Sequence, residues 1–343
     1  MPSRRKLMIP LFALIAGAAF AVGCGGSSES DSADEADSEI TAYSGRSEEL
    51  LNPAIDIYES NGNGDIEVRF GDSAPLAATI VEEGENSPAD VFIAQDAGSL
   101  GALEEEGLLA ELPQDVLDMV EPRFRSDDGR WVGLTGRARV IAYGEDVTEE
   151  ELPSSPLELT EPQWEGRVGW APQNASLQAY VTALRAAQGD DVARDWLEGM
   201  VENGAREFPS NTPIRDAIAA GEVDVGLLNH YYVAQAAAEE GEDYPVSVSF
   251  PEGGQGSLIN VAGIGILESA DDPEQALELV RFLLGAEAQS YFAESSLEYP
   301  LASGVAADAA LAPLAEIPDP MVDLSDIADL RGTLELMRET GAL

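Results

Sequence analysis

From Ile40 onward, short apolar runs alternate with longer stretches in which apolar residues recur every three or four positions, the pattern of strands followed by helices. Residues 40–43, 66–70 and 89–94 read as strands, and residues 48–58 as a helix with Leu50, Leu51, Ile55 and Tyr58 on one face. Ser73 caps a second helix over 75–83. Residues 131–134 and 138–143 read as two strands, the acidic, proline-containing 148–162 as loop, and 168–170 as a further strand. Helices follow over 177–188 and 191–203, the second stopped by Gly204. Pro213, behind Ser210, Asn211 and Thr212, opens a helix over 214–220 that Gly221 ends. Residues 223–228 form a strand whose carboxyl end carries Asn229, His230, Tyr231 and Tyr232, with the next helix beginning at Val233. Gly253, Gly254, Gln255 and Gly256 lead toward a strand at 261–267, and helices over 273–284, 286–295 and 324–339 finish the chain, with no internal repeat. Such alternation predicts an α/β fold with mostly parallel sheets.

The first 39 residues follow a different pattern. A basic head at residues 2–6 precedes sixteen uncharged residues, 7–22. As a helix that run would reach about 24 Å, short of the roughly 30 Å hydrocarbon core, so it reads as a signal peptide over 1–23. The run ends at Ala21, Val22, Gly23 and Cys24, which resembles a bacterial lipobox with Cys24 as the lipidated first residue of the mature chain. Two or more acyl chains anchor a protein stably, so the expected place is the outer face of the cell membrane. Residues 24–39 hold six acids and no base, too polar to bury a core, and read as an acidic disordered tether spanning on the order of 20 Å.

Composition narrows what the folded body can do. The 343 residues suffice for two domains. With 65 acids against 18 bases and a net charge of −47, the chain lacks the clustered Lys and Arg that grip nucleic acid phosphates or anionic headgroups. One cysteine and one histidine exclude a disulfide framework, a thiolate zinc cage and a His-rich metal site. No Walker loop, dinucleotide fingerprint or Ser-His-Asp arrangement is present, which argues against an enzyme.

Ligands of open α/β sheets bind beyond the carboxyl ends of strands, where helix N-termini offer free N–H groups to an anion. The polar residues at such points are Tyr43 to Glu48, Gln95 and Asp96, Thr135 to Arg137, Asn174 to Ser176, Asn211, and Asn229 to Tyr232. An adjacent Tyr pair is usually packing, yet at a strand-to-helix turn two phenols can converge, and a cation's charge can strip the proton from a group of pKa about 10. His230 either joins them as a ligand or turns away into a hydrogen bond. Arg137 best suits a bidentate clamp for an anion or carboxylate, with an interlobe salt bridge as the alternative. The acid runs 104–106 and 149–151 read as solvated faces.

Five ordered motifs add a resemblance: Tyr43-Ser44-Gly45-Arg46, Ser87 to Phe92, Gly136 to Val140, Asn229-His230-Tyr231-Tyr232, and Glu298-Tyr299-Pro300-Leu301. Together they resemble the ferric-iron-binding subgroup of ABC-transporter substrate-binding proteins, transferrin-like type II solute binders. That resemblance implies a two-lobed periplasmic-binding-protein fold with two hinge-crossing strands, lobe 1 being 40–136 and 260–311 and lobe 2 being 137–259 and 312–343. It implies a monomer that captures Fe3+ with a synergistic anion, phosphate or carbonate, in the interlobe cleft and delivers it to an ABC permease. Tyr231 and Tyr232 match the paired phenolate ligands. Asn174, Ala175, Ser176, Asn211 and Asn229 match anion-holding positions, with Arg137 beside them. A His and a Glu that some relatives use as ligands are here Ser47 and Gln95, with Glu48 and Asp96 the neighbouring substitutes. The alternative cargo is an organic anion or a phosphorylated solute on the same fold.

Overall fold

A computed structural model describes residues 40–241, 243–252, 256–318 and 322–343. The expected signal peptide, Cys24 and the tether lie outside the described residues, as do Gly253, Gly254 and Gln255. The first half runs β1 (Ile40–Ser44), α1 (Glu48–Ser60), β2 (Ile66–Phe70), α2 (Ser73–Glu83), β3 (Val91–Ala94), α3 (Ala97–Glu105), the single turn α4 (Gln114–Leu117) and β4 (Val132–Gly144). Then come β5 (Val168–Trp170), α5 (Ala175–Gln188), α6 (Asp190–Glu202), β6 (Arg206–Glu207), α7 (Asn211–Ala219), β7 (Val225–Asn229), α8 (Tyr231–Glu240) and β8 (Val246–Ser249). Last are β9 (Ile259–Ile266), α9 (Pro273–Leu283), α10 (Ala286–Ser296), β10 (Tyr299–Pro300) and α11 (Leu330–Glu339).

The expected α/β class holds, but the sheet is mixed rather than mostly parallel, and the strand pairing shows how its parts join. β1 pairs in parallel with β2 and β3, and β5 in parallel with β6 and β7. Between these parallel sets run two antiparallel strands. β9 pairs β3 through Val91↔Ile266 to Ala94↔Gly263 and β4 through Val132↔Ile264 to Ala138↔Ile259. From Arg139 on, β4 changes partners, to β7 at Arg139↔Asn229 through Tyr143↔Val225 and to β8 at Ile141↔Ser249 through Gly144↔Val246. One 13-residue strand therefore belongs to both parts of the sheet.

That continuity corrects the reading of 131–134 and 138–143 as two strands. Gly133 and Gly136 look like breaks, but a register shift between Gly133 and Thr135 absorbs the irregularity as a bulge and pairing resumes. Further readings change, among them the helices expected to begin at 177 and 214, which open at Ala175 and Asn211. The helix expected over 324–339 begins at Leu330, because Asp329 caps it by accepting from Gly332 N at 2.9 Å. Tyr231, not Val233, opens α8. And α3 fills residues 97–105, where no helix was expected.

Alternation along β4 splits the core. Val140 and Ala142 face a smaller apolar cluster with Ile214, Ile218, Leu228 and Val246, whereas Ile141 joins the main core. α7 packs hard on β7, since a Cβ on Gly226 would lie 2.3 Å from Ile214 Cγ2. That close approach brings the N-terminus of α7, and with it Asn211, beside the end of β7.

Candidate metal and anion site

Three strand ends and helix starts meet around one cation. Asn174 caps α5, its Oδ1 accepting from Ser176 N at 3.0 Å and from Ser176 Oγ at 2.5 Å. Asn211, 1% exposed at the start of α7, donates through Nδ2 to Asn174 Oδ1 and to Ser176 Oγ, both at 3.3 Å. Asn229 ends β7 opposite Arg139 on β4. Into this ring comes the Arg139 guanidinium, whose Nη1 lies 3.0 Å from Ser176 Oγ, 3.2 Å from Asn211 Oδ1 and 3.4 Å from Asn229 Oδ1. Nη2 donates to Leu227 O at 2.8 Å, and Nε is buried without a partner.

Burial pushes the Arg139 pKa down to about 10, which leaves it charged at neutral pH. Among the described residues no carboxylate lies within ion-pair distance of it. A buried cation without a counter-ion is costly, and the ring of amide and hydroxyl dipoles around it offsets only part of that cost. The arrangement therefore favours an incoming anion.

Tyr231 and Tyr232 stand at the neighbouring turn with their rings stacked, centroids 4.4 Å apart and planes at 30°. The strand-to-helix change is what lets adjacent side chains lie together, since along a strand they would face opposite ways. Burial and Tyr232 push the Tyr231 phenol up, while Arg137 pulls it down. As phenols these oxygens are poor ligands; a strongly charged cation is what would turn them into phenolates. His230 is turned away, its Nδ1 accepting from Ala138 N at 3.2 Å and its Nε2 meeting Leu297 O at 3.1 Å. Burial holds its pKa down at about 4, so it is neutral with the proton on Nε2 facing the carbonyl.

Arg137, two residues before Arg139 on the same side of β4, has other partners. Its Nη2 donates to Gln95 O, and its Nε lies 4.0 Å from Glu298 Oε1. Glu298 also accepts from Arg46 Nη2 at 2.9 Å and Thr135 Oγ1 at 2.5 Å, and Thr135 Oγ1 accepts from Arg46 Nη1 at 2.9 Å. Burial raises the Glu298 carboxyl, but Arg46, Arg137 and the Thr135 bond outweigh it and hold the group below the usual carboxylate range.

A cavity of about 850 Å³ has Arg137, Arg139, Gln95, Asp96, Ser176 and Asn229 in its wall, with Ala175. Tyr231 and Tyr232 are not in that wall but adjoin its arginine end, within electrostatic reach of Arg137 and Arg139. Gln95 has Oε1 buried without a partner, and its backbone N donates to Ser73 Oγ at 2.8 Å. Asp96 is engaged as the cap of α3, with Ser99 N at 2.8 Å and Ser99 Oγ at 3.0 Å. Ser47 and Glu48 are exposed at the start of α1, and Glu48 accepts from Asn52 at 3.3 Å. Among the described residues no three His, Cys, Asp or Glu come together as a metal cage. Arg139 and Glu298 are not among the expected site residues, and Arg46, within the expected 43–48 loop, serves here as a partner of Glu298. The two-residue period of Thr135, Arg137 and Arg139 is the sequence signal that places them on one side of the strand.

Comparison with known proteins decides the family. A model of the bacterial extracellular solute-binding proteins matches residues 86–326. The chain belongs to that family. It is 30% identical to the Fe(3+)-binding periplasmic protein of Serratia marcescens, over 91% of this chain and 93% of the relative. The crystal structure of iron-bound HitA from Pseudomonas aeruginosa superposes with a TM-score of 0.80 at 33% identity, covering 88% of this chain and 99% of HitA. A Trichodesmium protein solved in complex with iron and citrate gives 0.78 at 29% identity, covering 89% and 99%. The fold is the type II periplasmic-binding-protein fold, and membership makes this chain a solute binder rather than an enzyme.

Proposed function

We propose that this solute-binding protein captures ferric iron together with a synergistic anion and hands it to an ABC permease. The observation that carries the reading is the stacked Tyr231–Tyr232 pair beside a buried guanidinium that has polar but no carboxylate partners. Phenolates supply two hard anionic donors to the cation. Arg139, Asn174, Ser176, Asn211 and Asn229, with Arg137 at the margin, hold an anion such as phosphate or carbonate that fills further coordination positions. Iron in the named Serratia and Pseudomonas relatives, and iron with citrate in the Trichodesmium protein, supports this cargo. Ser47, Glu48, Gln95 and Asp96 are the candidates to complete the shell from the other side; of these only Gln95 presents a free buried oxygen.

Closure would bring together the lobes 40–136 with 260–311 and 137–259 with 312–343, bending where β4 and β9 pass between them. The site binds tightly and performs no chemistry. We further propose that the chain is exported, works as a monomer and is held at the outer face of the cell membrane through a lipid on Cys24. Among the described residues no helix is long and apolar enough to cross a membrane.

The test is optical. Metal-free protein mixed with ferric citrate should develop a visible tyrosinate-to-iron charge-transfer band, and Tyr231→Phe combined with Tyr232→Phe should abolish it. No band in the wild type, or equal binding by the double variant, defeats the proposal. Arg139, which has polar but no carboxylate partners, also favours a second reading, an organic anion or phosphorylated solute as the cargo. Calorimetry on metal-free protein separates the two, because only the second expects tight anion binding without iron.

A further inference from the structure

The last cross-strand pair between β4 and β7 is Arg139↔Asn229, and the next residue on each strand would continue the ladder as Ala138 and His230. Half of that step is ordinary, since His230 N donates to Ala138 O at 3.0 Å. The returning bond would run from Ala138 N to His230 O, but α8 has already claimed that carbonyl for Val233 N at 3.2 Å and Ala234 N at 3.4 Å. The imidazole takes its place, with Nδ1 accepting from Ala138 N at 3.2 Å. A side chain thus completes an antiparallel pair that the turn into a helix would have left open.

The other face of the same ring is held by one corner of the chain, residues 296–299. His230 Nε2 meets Leu297 O at 3.1 Å, and the imidazole stacks on Tyr299 with centroids 4.6 Å apart. One turn along α8, Gln235 Nε2 donates to Ser296 O at 3.0 Å. Leu297 is the one non-glycine residue with positive φ among the described residues, at 54°, a conformation that costs about 1 kcal/mol and turns its carbonyl to the ring. Between Leu297 and Tyr299, Glu298 reaches Arg46 and lies beside Arg137. The phenol-bearing helix and the arginine-bearing strand are therefore referred to one fixed corner.

We infer that His230 is a positioning residue for the phenol pair: by extending the β4–β7 ladder one residue into the turn and latching it to residues 296–299, it sets where Tyr231 and Tyr232 stand relative to Arg137 and Arg139. The inference rests on the metal-binding role proposed for the two phenols. With both ring nitrogens engaged, His230 is not itself a ligand. Its two bonds are separable, because Asn offers an acceptor near the place of Nδ1, while Phe keeps the stack on Tyr299 and loses both bonds.

Ferric loading of wild type, His230→Asn, His230→Phe and Gln235→Leu, read by the charge-transfer band and by iron loss to a competing chelator, tests this. His230→Phe should shift or weaken the band and retain iron about tenfold less well, the size typical of losing support behind a metal ligand. His230→Asn should recover part of both, and in a Tyr231→Phe background the His230→Phe change should add little. If His230→Phe does not fold, Gln235→Leu, which breaks one bond of the latch from the outer turn of α8, should still move the band. Variants that melt earlier but keep the wild-type band and retention overturn the inference. A missing band in the wild type sinks the ferric proposal and this inference together, whereas a wild-type band that these variants leave unchanged sinks only the inference.

Discussion

Arg46 and Arg137 share the carboxylate of Glu298, while Arg139 has no carboxylate at all. Glu298 is 2% exposed and Arg46 1%, so neither charge can recover water if its partner is lost. Glu298→Gln keeps the shape and removes the charge, leaving the Arg46 and Arg137 guanidinium groups without the carboxylate they share. Breaking a buried pair in this way costs about 3–5 kcal/mol, which denaturant titration of the metal-free protein should report. The pH dependence follows from the sign of the shift. Because the folded carboxyl sits below its ordinary value of about 4.3, its contribution is fully present above that pH and fades as the pH falls through the lower, folded value. Wild type and Glu298→Gln should therefore differ most near neutrality and converge on acidification. A constant gap down to strongly acidic pH would refute this electrostatic account.

At the scale of elements, caps decide where helices begin. Asp329 Oδ1 accepts from Gly332 N at 2.9 Å, and its other oxygen meets Arg185 Nη2 at 3.0 Å. The Gly332 bond, with help from Arg185, holds the Asp329 carboxyl low. Asp329→Ala should cost about 1 kcal/mol in a thermal melt, whereas Asp329→Asn, which keeps an acceptor, should cost less. Apolar residues spaced helically before it, Leu324 and Ile327, make the helix look longer in sequence than the cap allows. The same contest between local signals explains what else was legible. Strands β1, β2, β3, β5 and β7, the Tyr pair and the loops holding Asn174, Ser176 and Asn211 follow from local pattern, because each lies where an apolar run gives way to a helix start. β4 does not, since its glycines look like turn residues and only the partner strand β9 shows them as interior positions. α3 was hidden by its run of Ala, Gly, Ser and Leu, which carries little amphipathic contrast. The Glu298 network joins residues 252 positions apart, and no local period announces a contact of that span. Arg139 was within reach, but with two arginines on one side of a strand, only the neighbouring loops decide which one enters the asparagine ring.

Charge is organised oppositely inside and outside the molecule. With 65 acids and 18 bases, most carboxylates have no base to pair with, and 17 of the 18 bases are Arg, Lys6 being the exception. Where pairs form on the surface they are Arg pairs, as in Arg194–Glu339 at 2.6 Å and Arg206–Glu222 at 2.7 Å. Exposed pairs of this kind contribute at most about 1 kcal/mol each, too little to offset self-repulsion across a surface of net charge −47. Salt should change that balance. Raising ionic strength shortens the screening length from about 8 Å at physiological salt to about 3 Å at 1 M, which removes repulsion between exposed carboxylates but acts little on the buried Arg46–Glu298 pair. The midpoint of thermal unfolding should accordingly rise with sodium chloride up to molar concentration. Chloride is the salt to use, because sulfate strengthens apolar burial in any protein and would mask the effect. A midpoint indifferent to sodium chloride would mean that the acidic surface is already neutralised by bound cations or spaced widely enough not to repel.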